Sequence, residues 1–170
     1  IDILHASTLK DFNNLQFLGV EMFYEYWDNL SIFNRIAKDH KYKIIVKPHP
    51  TVKHCSEELQ KYFKNLNISN KSIDYLLKKT SMLISYSSTA IEDSLNSFVP
   101  VILFDKANRF MHVKSLKIDG KALAINYVSS EIDLIEIIKT LRKKKVDNFE
   151  EYIFKSNFKE NISNNILTLI

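Results

Sequence analysis

The sequence predicts an α/β protein, a parallel sheet with helices on both faces. Three observations carry that reading. Short apolar runs rich in β-branched residues alternate with longer stretches of helical period along the chain. Two of the runs, Ile44-Ile45-Val46 and Val101-Ile102-Leu103-Phe104, are apolar without a break, as strands are when both faces are buried. The 170 residues also hold only two glycines and three prolines, too few for an all-β protein of many tight turns.

Strands are expected at residues 2–6, 42–46, 82–85, 101–104 and 122–127. Between the first two, residues 21–38 place Met22, Tyr26, Leu30, Phe33 and Ala37 near helical spacing, with acids early and Lys38 late, as the helix dipole prefers. Phe23, Tyr24, Tyr26 and Trp27 cluster there and read as core or domain-interface surface. Ser56, followed by Glu57 and Glu58, is placed to cap a helix reaching about Asn65. Ser72 caps a short helix through Leu77, and Ser88 or Thr89 opens another that ends near Ser97. Ser130-Glu131-Ile132-Asp133 resembles a capping box with Asp in place of the longer Glu, and its helix runs to about Arg142. Lys143, Lys144 and Lys145 read as a solvated helix end. Phe154, Phe158, Ile162 and Ile166 recur every four positions, which predicts one or two more helices after residue 149.

With 45% hydrophobic and 26% charged residues, the composition is that of a globular protein and excludes a disordered tail or a collagen-like fibre. The length fits one domain, residues 1–170. Cys55 is the one cysteine, so no internal disulfide forms. The net charge of +4 is mild, and only Arg35, Arg109 and Arg142 are arginines, which argues against a nucleic-acid partner. No signal peptide or membrane span is expected, because there is neither a basic leader nor a long apolar run. The chain begins at Ile1, already in a strand-like run, and is expected to be a piece of a longer protein.

In an open α/β sheet, ligands bind beyond the carboxyl ends of strands. Two predicted strands end in chemistry-bearing residues. One runs into Lys47-Pro48-His49-Pro50, where the prolines fix the backbone around His49 and preorganise it as a donor toward a phosphate oxygen or leaving group, with Lys47 adding a charge. The other runs through Ser85-Tyr86 into Ser87-Ser88-Thr89 and then a helix. Hydroxyls and unpaired N–H groups at that helix start suit phosphate, and Glu92, one turn in, suits a pair of ribose hydroxyls. Taken separately, the serine turn also reads as a plain helix cap, Glu92 as an exposed first-turn acid and His49 as an ordinary loop histidine. Their joint occurrence on nearby strands favours a shared site. No metal-ligand spacing is present; Cys55 beside His54 or near His49 leaves a nucleophile pair open but poorly placed. Neither a Gly-x-Gly-x-x-Gly nor a Walker sequence occurs.

The ordered pair of motifs resembles the C-terminal half of GT-B glycosyltransferases, in particular bacterial surface-polysaccharide and capsule enzymes related to CDP-glycerol glycerophosphotransferases. The matching residues are Lys47 to Pro50, Tyr86-Ser87-Ser88, Glu92 and Pro100 to Phe104. The resemblance implies a Rossmann-like parallel sheet flanked by helices, forming a donor-nucleotide-binding domain. Lys47, His49, Ser87, Ser88 and Thr89 would contact phosphate, with His49 also catalytic, and Glu92 would bind ribose. It further implies a nucleotide-activated donor of CMP, CDP or UDP type, a glycan or lipid-linked acceptor, no cofactor and no metal. The setting implied is the cytoplasm, with peripheral association of the full-length protein at the inner face of the membrane left open. Glu92 stands where the CDP-glycerol enzymes usually carry Asp, and Ser85 where an Asp often precedes Tyr-Ser-Ser, so the donor stays open. The catalytic base of such enzymes commonly lies in the N-terminal half. Two rival readings stand beside this one: a sugar-nucleotide epimerase-like domain, which shares the architecture, and a non-catalytic α/β interaction module.

Overall fold

The computed structural model describes residues 2–8, 23–106 and 122–153. The predicted helices after residue 153 lie outside the described residues. The strands are β1 (Asp2–Ala6), β2 (Lys43–Lys47), β3 (Leu66–Ile68), β4 (Met82–Ser85), β5 (Val101–Phe104) and β6 (Ile125–Val128). The helices are α1 (Phe23–His40), α2 (Ser56–Tyr62), α3 (Ile73–Leu77), α4 (Ala90–Asn96) and α5 (Glu131–Lys143), with 3-10 turns at Pro50–Cys55 and Asn148–Glu151. The six strands form one sheet in the order β3-β2-β1-β4-β5-β6, and every neighbouring pair is parallel. This is the Rossmann-like α/β sheet expected from the sequence.

The alternation of side chains across a pleated strand explains why these strands are apolar on both faces. Ile3, Ile44, Val46, Met82, Ile84, Ile102 and Phe104 face one core, with Tyr26, Leu30, Phe33 and Ile36 of α1, Leu59 of α2 and Leu134, Ile138 and Leu141 of α5. Leu4, Ala6, Ile45, Leu83, Val101 and Leu103 face the other, with Leu76 and Leu77 of α3 and Ala90, Ile91 and Leu95 of α4. On the first layer, Arg35 of α1 forms a surface ion pair with Glu131 of α5. Of the aromatic cluster at the start of α1, Tyr26 is buried, Trp27 packs on Tyr62 and Phe63, and Tyr24 is exposed.

Some boundaries differ from expectation. The helix from Ser56 stops at Tyr62, and β3 follows it. β3 is an edge strand with one buried residue, Leu66, so its three residues give almost no periodic signal. Its edge is closed by a side chain: Gln60 Nε2 donates to the Leu66 carbonyl and Gln60 Oε1 accepts from the Ile68 N–H, both at 2.9 Å. Ser56 does not cap α2; the 3-10 turn runs directly into the helix, and the Ser56 hydroxyl donates back to the Lys53 carbonyl at 2.6 Å. At α5, Ser130 accepts from the Asp133 N–H at 3.1 Å as expected. The Asp133 carboxylate accepts the Ser130 hydroxyl proton at 2.6 Å, which is the contact a short acid can make from that position. Ile125 starts β6 later than expected, with residues 122–124 buried ahead of it. The buried Asn126 amide there donates to the carbonyls of Val101 (3.3 Å) and Leu123 (2.7 Å).

Lys41 follows the last residue of α1 with φ 54°. This is the left-handed position where a helix favours glycine. Lys41→Gly is expected to raise stability by about 1 kcal/mol, because the Cβ strain of that conformation is relieved. A denaturant titration would check it; an unchanged or lower midpoint would refute it.

Candidate functional site

The sheet order places a reversal of direction between β1 and β4. From β1 the chain builds outward through β2 and β3, then crosses to the other side of β1 for β4, β5 and β6. α1, which follows β1 in sequence, packs on one face of the sheet and α4, which follows β4, on the other, and a crevice lies at the carboxyl ends of these strands, the usual ligand position in open α/β sheets.

The floor of that crevice is fastened by side chains. The Ser85 hydroxyl at the end of β4 donates to the Ala6 carbonyl at the end of β1, at 3.2 Å. One residue back, His5 Nδ1 lies 3.1 Å from the Ile84 carbonyl. A carbonyl can only accept, so Nδ1 carries the proton and the neutral ring leaves Nε2 bare. Burial holds the His5 imidazole down, from its usual 6.5 to about 4, and the bond to Ile84 offsets this in part. Its ring packs on Phe33 with centroids 4.7 Å apart. An ionised aspartate at position 85 could not make the donation to Ala6, so the serine found here is consistent with a floor closed by hydrogen bonding.

Lys47 at the end of β2, Pro48, His49 and Pro50 of the loop after it, and Ser88, Thr89 and Ala90 at the start of α4 line one cavity of about 240 Å3 above this floor. About forty residues separate the two motifs in sequence, and the sheet order brings them together. His49 caps the 3-10 turn that Pro50 begins: its backbone is extended (φ −60°, ψ 146°) and Nδ1 accepts from the Thr51 N–H at 3.3 Å. The Thr51 hydroxyl sits 2.8 Å from the same nitrogen. With Nδ1 accepting, the neutral ring carries its proton on Nε2 and is fixed as a donor tautomer. Thr89 stands at the N-cap of α4 without a side-chain cap bond, and Ser88 just before it accepts from the Ala90 N–H at 3.2 Å. That bond uses a lone pair of the Ser88 oxygen and leaves its hydroxyl hydrogen to donate elsewhere.

Two predicted residues stand outside the lining of the cavity. Ser87 is half-buried in the turn before Ser88, and Glu92 is exposed in the first turn of α4. The carboxylate that lines the cavity is Asp93, four residues after Thr89 and so on its helical face. Ser7 and Ile73 line it as well. Ser7 directly follows the first predicted strand, and the rule that singled out His49 would have found it. The Ser7 N–H continues the β1–β2 pairing to the Lys47 carbonyl at 3.2 Å.

A solved structure has this fold: UDP-GlcNAc 2-epimerase from Methanocaldococcus jannaschii. The two superpose with a TM-score of 0.53 at 16% sequence identity, over 85% of this chain. The chain spans 39% of the length of that epimerase. The likeness to the epimerase is therefore one of fold alone. No protein-family model and no curated protein matches the sequence.

Among the described residues, no group of three His, Cys, Asp or Glu side chains could hold a metal ion. Cys55 is half-buried and unbonded to another cysteine. No described helix is long and apolar enough to cross a membrane. Chemically, the crevice offers a cation, an imidazole N–H donor, hydroxyl donors and one carboxylate, a set suited to a phosphorylated ligand that also carries hydroxyls.

Proposed function

We propose that this chain is the donor-nucleotide-binding domain of a glycosyltransferase, or of a glycerophosphotransferase, in bacterial surface-polysaccharide synthesis, and that it forms the C-terminal part of a longer protein. The observation that supports the reading most is the convergence of Lys47, His49, Ser88 and Thr89 on one crevice at the reversal point of the sheet. In this reading the bond from the donor group to the nucleotide phosphate breaks as an acceptor hydroxyl attacks. The negative charge left on the phosphate is met by the Lys47 ammonium, the His49 Nε2–H and the Ser88 hydroxyl, the last two held in place before the step by Thr51 and Ala90. Ser87 borders the same turn. Ribose falls to Glu92 by the family pattern, and Asp93 is the second carboxylate within the same helical turn. The acceptor is a glycan or lipid-linked saccharide, and the group that takes its proton belongs to the preceding half.

A second reading, a sugar-nucleotide epimerase-like domain, is favoured by the fold it shares with the Methanocaldococcus jannaschii enzyme. Titration of the chain with CMP, CDP and UDP tests both. Saturable binding of at least one nucleotide is expected, weakened by Lys47→Ala. If none binds, the nucleotide-site reading is lost and a non-catalytic interaction module takes its place. Incubation of the full-length protein with UDP-GlcNAc alone then separates the two enzymes, since an epimerase converts the sugar without an acceptor.

A further inference from the structure

α3 has a second concavity on its far side. Ile73 lines the nucleotide crevice, while Tyr75 lines a separate cavity of about 610 Å3 that reaches back to Asp2 and Lys43, at the amino-terminal ends of β1 and β2. Asn67, Ser69, Asn70, Lys71 and Lys79 complete its polar wall.

The charge in this cavity is unbalanced. Lys71 Nζ and Lys79 Nζ both donate to Tyr75 Oη, at 3.2 and 2.7 Å. Both also lie over the Tyr75 ring, 4.3 and 4.4 Å from its centroid. Neither lysine forms an ion pair with a described residue. Asp2, the one carboxylate lining the cavity, is engaged by Lys43 at 2.8 Å. Two ammonium groups drawn onto one uncharged oxygen repel each other, and a phenol has only lone pairs and a π face to set against that repulsion. The hydroxyl registers both cations: hydrogen bonds from Lys79 and then Lys71 lower Tyr75 from 10.0 to about 8.

We propose that this cavity binds an oxyanion-bearing ligand, through a phosphate or carboxylate group held by Lys71 and Lys79, at a site separate from the nucleotide crevice. An anion supplies the negative charge that the two ammonium groups lack, and the Asn67 amide beside them offers a neutral partner for the rest of the ligand. The inference does not depend on what occupies the crevice.

Tyr75 is itself the reporter. The tyrosinate absorbance of the chain is titrated with pH, and the same titration of Tyr75→Phe is subtracted to isolate this residue. Without an added anion the midpoint is expected near 8. Saturating pyrophosphate, or a trigalacturonate, is expected to move it up by about one unit as the lysines turn to the anion. That shift must exceed the one given by sodium chloride at matched ionic strength, which screens without binding. A larger response to pyrophosphate assigns the site to phosphate ligands, and a larger response to trigalacturonate assigns it to acidic saccharides. In Lys71→Gln/Lys79→Gln the anion response should vanish. The proposal is overturned by a midpoint near 10 without anion, by no shift beyond the salt control with either probe, or by a response that persists in the double variant.

Discussion

His5→Asn is expected to flatten the acid side of the stability curve. In the unfolded chain His5 takes up a proton near pH 6.5, whereas in the fold it resists until about pH 4. The stability tied to its neutral form is present in full above pH 6.5. It is lost progressively as the pH falls toward 4, because there the unfolded state binds a proton that the folded state refuses. A separation from 6.5 to about 4 corresponds to about 3 kcal/mol over that window. Asparagine keeps an N–H donor for the Ile84 carbonyl and does not titrate. The smaller side chain costs stability through the lost contact with Phe33, but that loss is the same at every pH and cancels from the slope. Urea unfolding at pH 7, 5.5 and 4 gives the comparison. Parallel curves for the two proteins would show that burial of His5 contributes nothing to acid unfolding.

On the proposed function, His49→Ala in the full-length protein is expected to lower turnover by about 100- to 1000-fold with little change in the donor's KM, since in that reading its hydrogen bond strengthens as charge builds on the leaving phosphate. Glu92→Ala should do the reverse and raise KM, because ribose contacts are alike in ground and transition states. Ser88→Ala should fall between, losing a phosphate contact together with a cap worth about 1 kcal/mol. The capping role of His49 toward Thr51 adds a control. His49→Asn retains a side-chain acceptor for the Thr51 N–H while removing the imidazole donor, so its fold should melt like wild type and its turnover should still collapse. Wild-type turnover in a folded His49→Ala protein would take His49 out of the mechanism.

The sequence was most legible where burial on both faces produced uninterrupted apolar runs. β5, one such run, lies at the predicted residues, as do β1 and β4, and β2 is offset by one residue. Leu66-Asn67-Ile68 escaped notice because an edge strand this short needs one buried residue and a neighbour to pair with, and pairing leaves no local trace. The convergence of His49 with Ser88 was legible because both follow strands, and the carboxyl ends of parallel strands share one side of a sheet. The choice between Glu92 and Asp93 was not, since it depends on helical phase: adjacent residues diverge by about 100° around the axis, and the phase is set by where α4 begins after Thr89. His5 looked like one more residue of an apolar strand. Its lowered titration arises from burial, against residues such as Phe33 that are distant in sequence, while the bond to Ile84 opposes it.

A strand that is greasy on both sides has little to tell it where to stop sliding. Moving it by one residue exchanges its two faces, and between two apolar layers that exchange is opposed by packing rather than by exposing apolar groups to water. In this sheet the alignment falls to a few directional contacts: His5 to Ile84, Ser85 to Ala6, and Asn126 to Val101. They act as detents, each satisfied in one alignment and left with an unmet polar group in the next. Two of the three form the floor of the crevice. The contacts that hold β1 and β4 in step are thus the same ones that set the height of His49 relative to Ser88, and a change to Ser85 would disturb the site by shifting one strand's position against the other.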